Sequence, residues 1–294
     1  MNQMQAGILA EIPENARFVS FQLGDSGLLE ATLKAVQTHA DGERAVVGIG
    51  LAVVEALGQH IPGLTAGPRI DGSMIDIPCQ PIALWLWLRG PSRGELVHQE
   101  RHWVDLLAPC FTRLQSIEAF CYDNGRDLTG YEDGTENPEG EEAIAVASVT
   151  APAADALVGS SYLAVQQWLH DFKSFDSMTD AEQDNSFGRH RISNEEFDEA
   201  PESAHVKRTA QEAPTPEAHV LRRSMPWSAG SRAGLVFTAF GQSLEAFEVL
   251  LTRMSGAHDG IIDGLFAFTK PVNGAYVWCP GMRNGQLDLR ALGL

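Results

Sequence analysis

Ile82-Ala83-Leu84-Trp85-Leu86-Trp87-Leu88 is a run of seven apolar residues closed by Arg89-Gly90-Pro91. Its length suits a single strand, its aromatic and bulky side chains favour extended backbone, and the Gly-Pro pair ends it. Upstream of a Gly/Pro-rich loop at 62–72, residues 45–50 read as a second strand and residues 28–39 carry apolar side chains at helical spacing. Before them, residues 17–23 alternate like a half-buried strand. Downstream, a helix over about 95–107 and a strand near 117–120 complete the half. The order β-α-β-β-α-β is that of a ferredoxin-like unit.

The second half repeats the order. Residues 161–168 read as a strand, the chain turns helical from Asp171, and 219–222 and 234–240 are two more strands. Ser243 then caps a helix with Leu244, Phe247, Leu250, Leu251 and Met254 on one face before Gly256 ends it, and 275–278 is the last strand. The expectation is an α+β fold of two tandem ferredoxin-like units with antiparallel sheets, packed through those sheets. The units are expected at 1–135 and 136–294. Between their elements, 176–218 is long, polar and rich in Glu, Asp and Pro. Such a segment is either disordered or functional, and it contains His205.

Composition narrows the function. The 294 residues are 44% hydrophobic, enough for a sizeable core. The 39 acidic residues against 21 basic ones give a net charge of −18, which opposes binding to nucleic acid and to anionic membrane surfaces. No apolar run approaches the ~18 residues that span a bilayer. The start, Met1-Asn2-Gln3-Met4-Gln5-Ala6, has no basic segment followed by an apolar one, so the expected location is the cytoplasm. Cys79, Cys110, Cys121 and Cys279 show no CxxC spacing and suit reduced thiols. None of the nine histidines forms HExxH, which leaves a zinc hydrolase without support.

The polar stretch most suggestive of chemistry is Gly130-Tyr131-Glu132-Asp133-Gly134-Thr135-Glu136-Asn137-Pro138. Its glycines allow positive φ or close approach to a ligand, with Asp133 held between them. Asp-Gly and Asn-Pro are also ordinary turn pairs, so on pattern alone the run reads first as a surface turn. His205, in Pro201-Glu202-Ser203-Ala204-His205-Val206-Lys207-Arg208, is on spacing alone an isolated histidine.

Together these segments resemble the dye-decolorizing peroxidases, in particular the bacterial subgroup called type B. Gly130 to Gly134 resembles that family's GxxDG motif, and Thr135-Glu136-Asn137-Pro138 its usual extension. Gly188-Arg189-His190-Arg191, followed by Asn194-Glu195-Glu196, is similar to the family's GRxK segment with Arg191 in place of Lys. Ala204-His205-Val206 resembles the haem-ligand segment, and Leu221-Arg222-Arg223-Ser224-Met225-Pro226 the distal-arginine strand. Phe268-Thr269-Lys270-Pro271-Val272-Asn273-Gly274 resembles the C-terminal signature. One GxxDG is weak, whereas five motifs in order along nearly the whole chain are specific.

The resemblance implies one non-covalent haem b per chain, bound in the C-terminal half with His205 as proximal iron ligand. Asp263 takes the place of the acceptor for the other imidazole nitrogen, with Asp259 close by in sequence. Asp133 and Arg222 fall at the distal positions, Arg222 rather than Arg223 because neighbouring strand residues face opposite ways. Arg189 becomes a partner for a haem propionate, and Leu235 and Phe237 become walls of the haem site. Ser224 stands where some relatives carry Asn, which shortens any third distal contact. The implied activity is reduction of hydrogen peroxide and oxidation of dyes or phenols through a high-valent iron-oxo intermediate. With a carboxylate of ordinary pKa near ~3.9 as the base, an acidic optimum is expected. Trp168, Trp227, Trp278, Tyr131, Tyr162 and Tyr276 are chemical candidates for surface radicals.

The same pocket would serve a haem-handling protein that binds or delivers haem or removes its iron, with peroxidase activity incidental. A ferredoxin-like binder without haem is a third reading. A homo-oligomer, dimer or larger, is expected of such folds. The sequence stops at Leu294 without the longer tail that directs some relatives into encapsulin shells, so that packaging is not expected.

Overall fold

The computed structural model describes residues 3–151 and 153–294. The first half supplies β1 (Asn15–Leu23), β2 (Ala45–Ile49), β3 (Leu84–Gly90) and β4 (Phe111–Phe120). They lie in the order β4-β1-β3-β2, every pair antiparallel. The 82–88 run thus becomes an inner strand, and its continuous apolar character has a direct cause: both faces are covered. Leu84, Leu86 and Leu88 join Leu33, Val36, Leu96 and Trp103 of the helices Leu29–His39 and Arg93–Leu107. Trp85 and Trp87 point the other way and stack on Phe18, with ring centroids 5.8 and 5.9 Å away. Truncating either buried indole would cost roughly 3–5 kcal/mol.

The second half supplies β5 (Ser161–His170), β6 (Leu221–Arg222), β7 (Met225–Ala229), β8 (Arg232–Gly241), β9 (Thr269–Pro271) and β10 (Ala275–Cys279). β5 runs antiparallel to β8, β10 and, near its end, β9. The far edge of β8 takes β7 and then β6. Single residue pairs, Ala119 with Trp227 and Ile49 with Trp278, join the two sheets at both edges, so the strands close on themselves. Phe18, Val46, Trp85, Trp87, Leu163, Val236, Phe240 and Val277 fill the space inside. The outer face of the second sheet is covered by the helix Glu245–Met254 through Phe247, Leu250 and Leu251. The fold is therefore α+β with antiparallel sheets packed through their inner faces, as expected.

Three local readings needed correction. β7 has no counterpart in the sequence reading, because Pro226 inside it removes a ladder donor and argues against a strand there, although β7 lies between β8 and β4. The helix expected from Asp171 is two short ones, Phe172–Ser177 and Asp180–Phe187, because Thr179 and Glu182 form a capping box that restarts the helix. The helix over Glu245–Met254 has Leu244 at its N-cap, though Ser243 Oγ still accepts from Glu245 N at 3.3 Å. The four cysteines are free. Among the described residues no helix is long and apolar enough to cross a membrane.

Candidate active site

The 130–138 stretch is a built loop. Arg126 and Glu132 form an antiparallel bridge around a turn in which Asp127 N donates to Tyr131 O and Gly130 N to Asp127 O, both at 2.8 Å. Asp133 leaves this small hairpin directly. Gly134 has φ +83°, and a Cβ there would sit 2.6 Å from Asn137 Nδ2. That crowding follows from what Asn137 does. Its side-chain amide donates to Arg222 O (3.0 Å) and accepts from Arg222 N (2.9 Å), completing both backbone groups of the short edge strand β6. One motif residue therefore fastens the Asp133 loop to the Arg222 strand. Arg222 Nη1 then lies 3.5 Å from Asp133 Oδ1.

Arg223 faces away and donates to Ile8 O and Leu9 O, which separates the two adjacent arginines as strand alternation requires. Ser224 Oγ accepts from Thr238 N at 3.5 Å and does not line the cavity.

His205 opens the four-residue helix His205–Arg208, far too short to stand alone. It is held from both ends. Arg208, 3% exposed, donates to Arg253 O at the end of the helix Glu245–Met254 and pairs with Asp259, while Arg253 Nη2 donates to Lys207 O. Gly188, φ +83°, lets the chain pass where a Cβ would lie 2.4 Å from Val206. His205 Nδ1 is 2.7 Å from Oδ2 of Asp263, whose other oxygen accepts from Leu265 N at 2.9 Å. Asp259 is engaged by Arg208, so of the two nearby aspartates Asp263 is the one at the imidazole. His205 Nε2 has no partner among the described residues.

Asp133, Arg222, His205, Arg189, Leu235 and Phe237 all border one cavity of about 600 Å³, and Asp263 stands behind His205. The volume is that of an ordinary small-molecule site. Phe247, Leu250, Leu251 and Met254 supply an apolar wall. Arg189 reaches the cavity but is already paired with Glu136 (2.8 Å) and Glu196 (2.9 Å). Buried Arg222 Nε and Gln166 Nε2 have no acceptor among the described residues. The six Trp and Tyr residues named as surface-radical candidates are all buried.

Sequence reading missed His170 and Asp127, which border the same cavity. His170 Nε2 is 3.0 Å from Asp127 Oδ1 and Nδ1 is 2.7 Å from Thr269 Oγ1. Burial pushes the Asp127 carboxyl up, but hydrogen bonds from His170 and Thr129 outweigh it and hold the group below the usual carboxylate range. Strand parity was the available signal: Gln166, Trp168 and His170 share the face of β5 that borders the cavity. Tyr131 was likewise absorbed into the site's frame, stacked on Phe187 at 3.7 Å with its hydroxyl donating to Asp184.

The sequence model described as "Dyp-type peroxidase, C-terminal" matches residues 124–284. The chain is 28% identical to the dye-decolorizing peroxidase of Rhodococcus erythropolis, with 93% of this chain and 85% of the relative covered. It is 26% identical to that of Mycobacterium tuberculosis over 93% and 87%. Among solved structures, the dye-decolorizing protein from V. cholerae superposes with a TM-score of 0.84 at 24% identity, covering 98% of each chain. A variant of DypB from Rhodococcus jostii RHA1, solved in complex with haem, superposes at 0.83 and 24%, covering 93% and 94%. Those superpositions establish the fold, and the family match spans more than half of the sequence, including the loop of Asp133, the His205 segment and the Arg222 strand. The chain belongs to the Dyp-type peroxidase family, haem enzymes that use hydrogen peroxide as oxidant.

Proposed function

We propose that this cavity holds one haem b without covalent attachment and that the protein reduces hydrogen peroxide there while oxidising organic donors such as dyes or phenols. The observation that carries the reading is the convergence on one cavity of a half-buried imidazole with one free nitrogen and a carboxylate–guanidinium pair. The lining fits the group. His205 Nε2 is available to an iron atom, the Leu235, Phe237 and Leu250 surfaces suit a flat apolar ring, and the unpaired donors Arg222 Nε and Gln166 Nε2 suit an electron-rich occupant. When bound, the haem supplies an iron centre that is oxidised by peroxide and reduced again by donors one electron at a time.

The chain's own residues then have separate tasks. Asp263 fixes the proton on His205 Nδ1, which leaves the Nε2 lone pair to ligate and raises its basicity. Asp133 can accept the proton of the inner peroxide oxygen and return it to the outer one. Arg222 brings its guanidinium beside Asp133 and stabilises negative charge on the departing oxygen. At 3.5 Å these two groups are farther apart than the ~2.7–2.9 Å of a tight charge-assisted bond, so each retains bonding capacity for a third molecule. Arg189 would meet a propionate at the cavity's polar side, competing there with Glu136 and Glu196.

Mixing peroxide with the Asp133→Asn and Arg222→Leu proteins in a stopped-flow spectrometer tests the assignment. At least one is expected to slow the first spectral change by ~100-fold or more. Parental rates in both variants would remove these residues from the peroxide step.

A further inference from the structure

The 268–274 segment contributes no residue to the chemistry above, yet Thr269 stands at one end of a continuous buried hydrogen-bond path that finishes at the Asp133 loop. His170 is the last residue of β5 and pairs in register with Thr269 of β9. Its side chain is 5% exposed, with Nδ1 on Thr269 Oγ1 and Nε2 on Asp127 Oδ1. The second oxygen of Asp127 accepts from Thr129 N (3.0 Å) and Thr129 Oγ1 (2.6 Å). Asp127 is in turn the first residue of the turn inside the 126–132 bridge, from which Asp133 emerges. The rest of the segment is fastened to the same strand: Val272 N donates to Gln167 O at 2.8 Å, and Asn273 Oδ1 accepts from Gln167 N at 2.7 Å.

We propose that Thr269, His170 and Asp127 form a strut that sets the position of Asp133, making the C-terminal segment a positioning element of a peroxide site to whose chemistry it adds no group. The proposal rests on the reading of Asp133 as the proton-carrying group. Both nitrogens of His170 are occupied, so the ring is free neither to ligate nor to carry a proton to the cavity. What it can do is hold a buried carboxylate in one place. With His170 removed, Asp127 would be a buried charge with one partner fewer, and the loop relieves that by shifting toward water with Asp133 attached. A displacement of 1 Å at a reacting group is enough to cost on the order of 100-fold in rate.

The test uses the purified holoprotein and its His170→Ala, His170→Gln and Thr269→Val variants, with two readouts. Hydrogen exchange is followed over residues 126–133 and over Glu245–Met254, and the rate of the first reaction with peroxide is followed by stopped flow. For His170→Ala, exchange in 126–133 should speed up at least ~10-fold with Glu245–Met254 unchanged, the peroxide rate should fall ~10- to 100-fold, and donor oxidation at saturating peroxide should hold. Gln at 170 can donate to Asp127 Oδ1 in place of the ring and should recover most of both effects. Thr269→Val, a near-isosteric change that keeps the core filled, should move both in the same direction by less, and serves if His170→Ala fails to fold. Parental exchange and parental peroxide rate together would overturn the proposal, as would a change in either readout without the other. If Asp133→Asn itself leaves the peroxide rate untouched, the reading of Asp133 fails, and the exchange readout alone still decides whether the strut holds the loop.

Discussion

Two of the histidines that border the cavity, His205 and His170, are each bonded to a buried aspartate, yet they are built for opposite purposes. His205 has Nδ1 on Asp263, leaves Nε2 without a partner among the described residues and keeps 24% of its side chain exposed. His170 has Nε2 on Asp127 and Nδ1 on Thr269, with 5% exposed. A metal ligand needs one free lone pair, and a brace needs none. The carboxylate is common to both, so it does not mark the ligand. What separates them is the fate of the second nitrogen, decided by whether the neighbouring backbone offers a hydroxyl, as β9 does at Thr269, or an opening, as the short helix at His205 does.

The comparison can be broken most forcefully at the buried brace. His170→Ala leaves Asp127 charged and short of a partner, and the cost should approach about 3 kcal/mol of folding stability, read from urea unfolding at pH 7. A loss within ~0.5 kcal/mol would show that the second pair bears no load. Next in size is Asp263→Asn, which keeps the shape but weakens the acceptor behind the ligand. Haem affinity in a haemin titration should fall 10- to 100-fold, and the Asp127→Asn protein should match its parent in the same titration. Equal losses in both would erase the distinction drawn between the pairs.

The smallest effect concerns acid. Because the folded Asp127 carboxyl is held below its unfolded value of about 3.9, the stability it contributes is complete above that pH and disappears as pH falls through the lower folded value. Asp127→Asn should therefore be less stable than the parent at pH 7, with the gap narrowing as pH falls below about 4. A constant gap from pH 7 to pH 3 would mean that the carboxyl is not depressed in the folded state.

Much of this was legible in the sequence, and the omissions have physical reasons. The 82–88 run announced a strand because continuous apolar character has few other uses in a short segment, and its inner position emerged from the pairing of β3 with β1 and β2. The helix Glu245–Met254 was visible from its spacing because one face is buried and the other is not. β7 was hidden by Pro226, and the closing of the two sheets rests on two single residue pairs that no local pattern encodes. At the site, Asp133, Arg222 and His205 were found through motif order rather than geometry. Asp263 was named from its place in the motif with Asp259 close by, and what separates the two in space is Arg208, which pairs with Asp259. His170 escaped because Trp168-Leu169-His170-Asp171 looks like the frayed end of a strand, and its partner lies 43 residues away. Asn137 reads as turn chemistry until its amide is seen to complete the Arg222 backbone.

The central claim is that His205, and not His170, is the residue that holds the haem iron. Absorption spectra of the parent, His205→Ala and His170→Ala proteins, each titrated with haemin and then given one equivalent of peroxide, address it directly. The account predicts that His170→Ala keeps the parental Soret band, while His205→Ala loses it together with the spectral response to peroxide. An unchanged Soret band and full turnover in His205→Ala would contradict it.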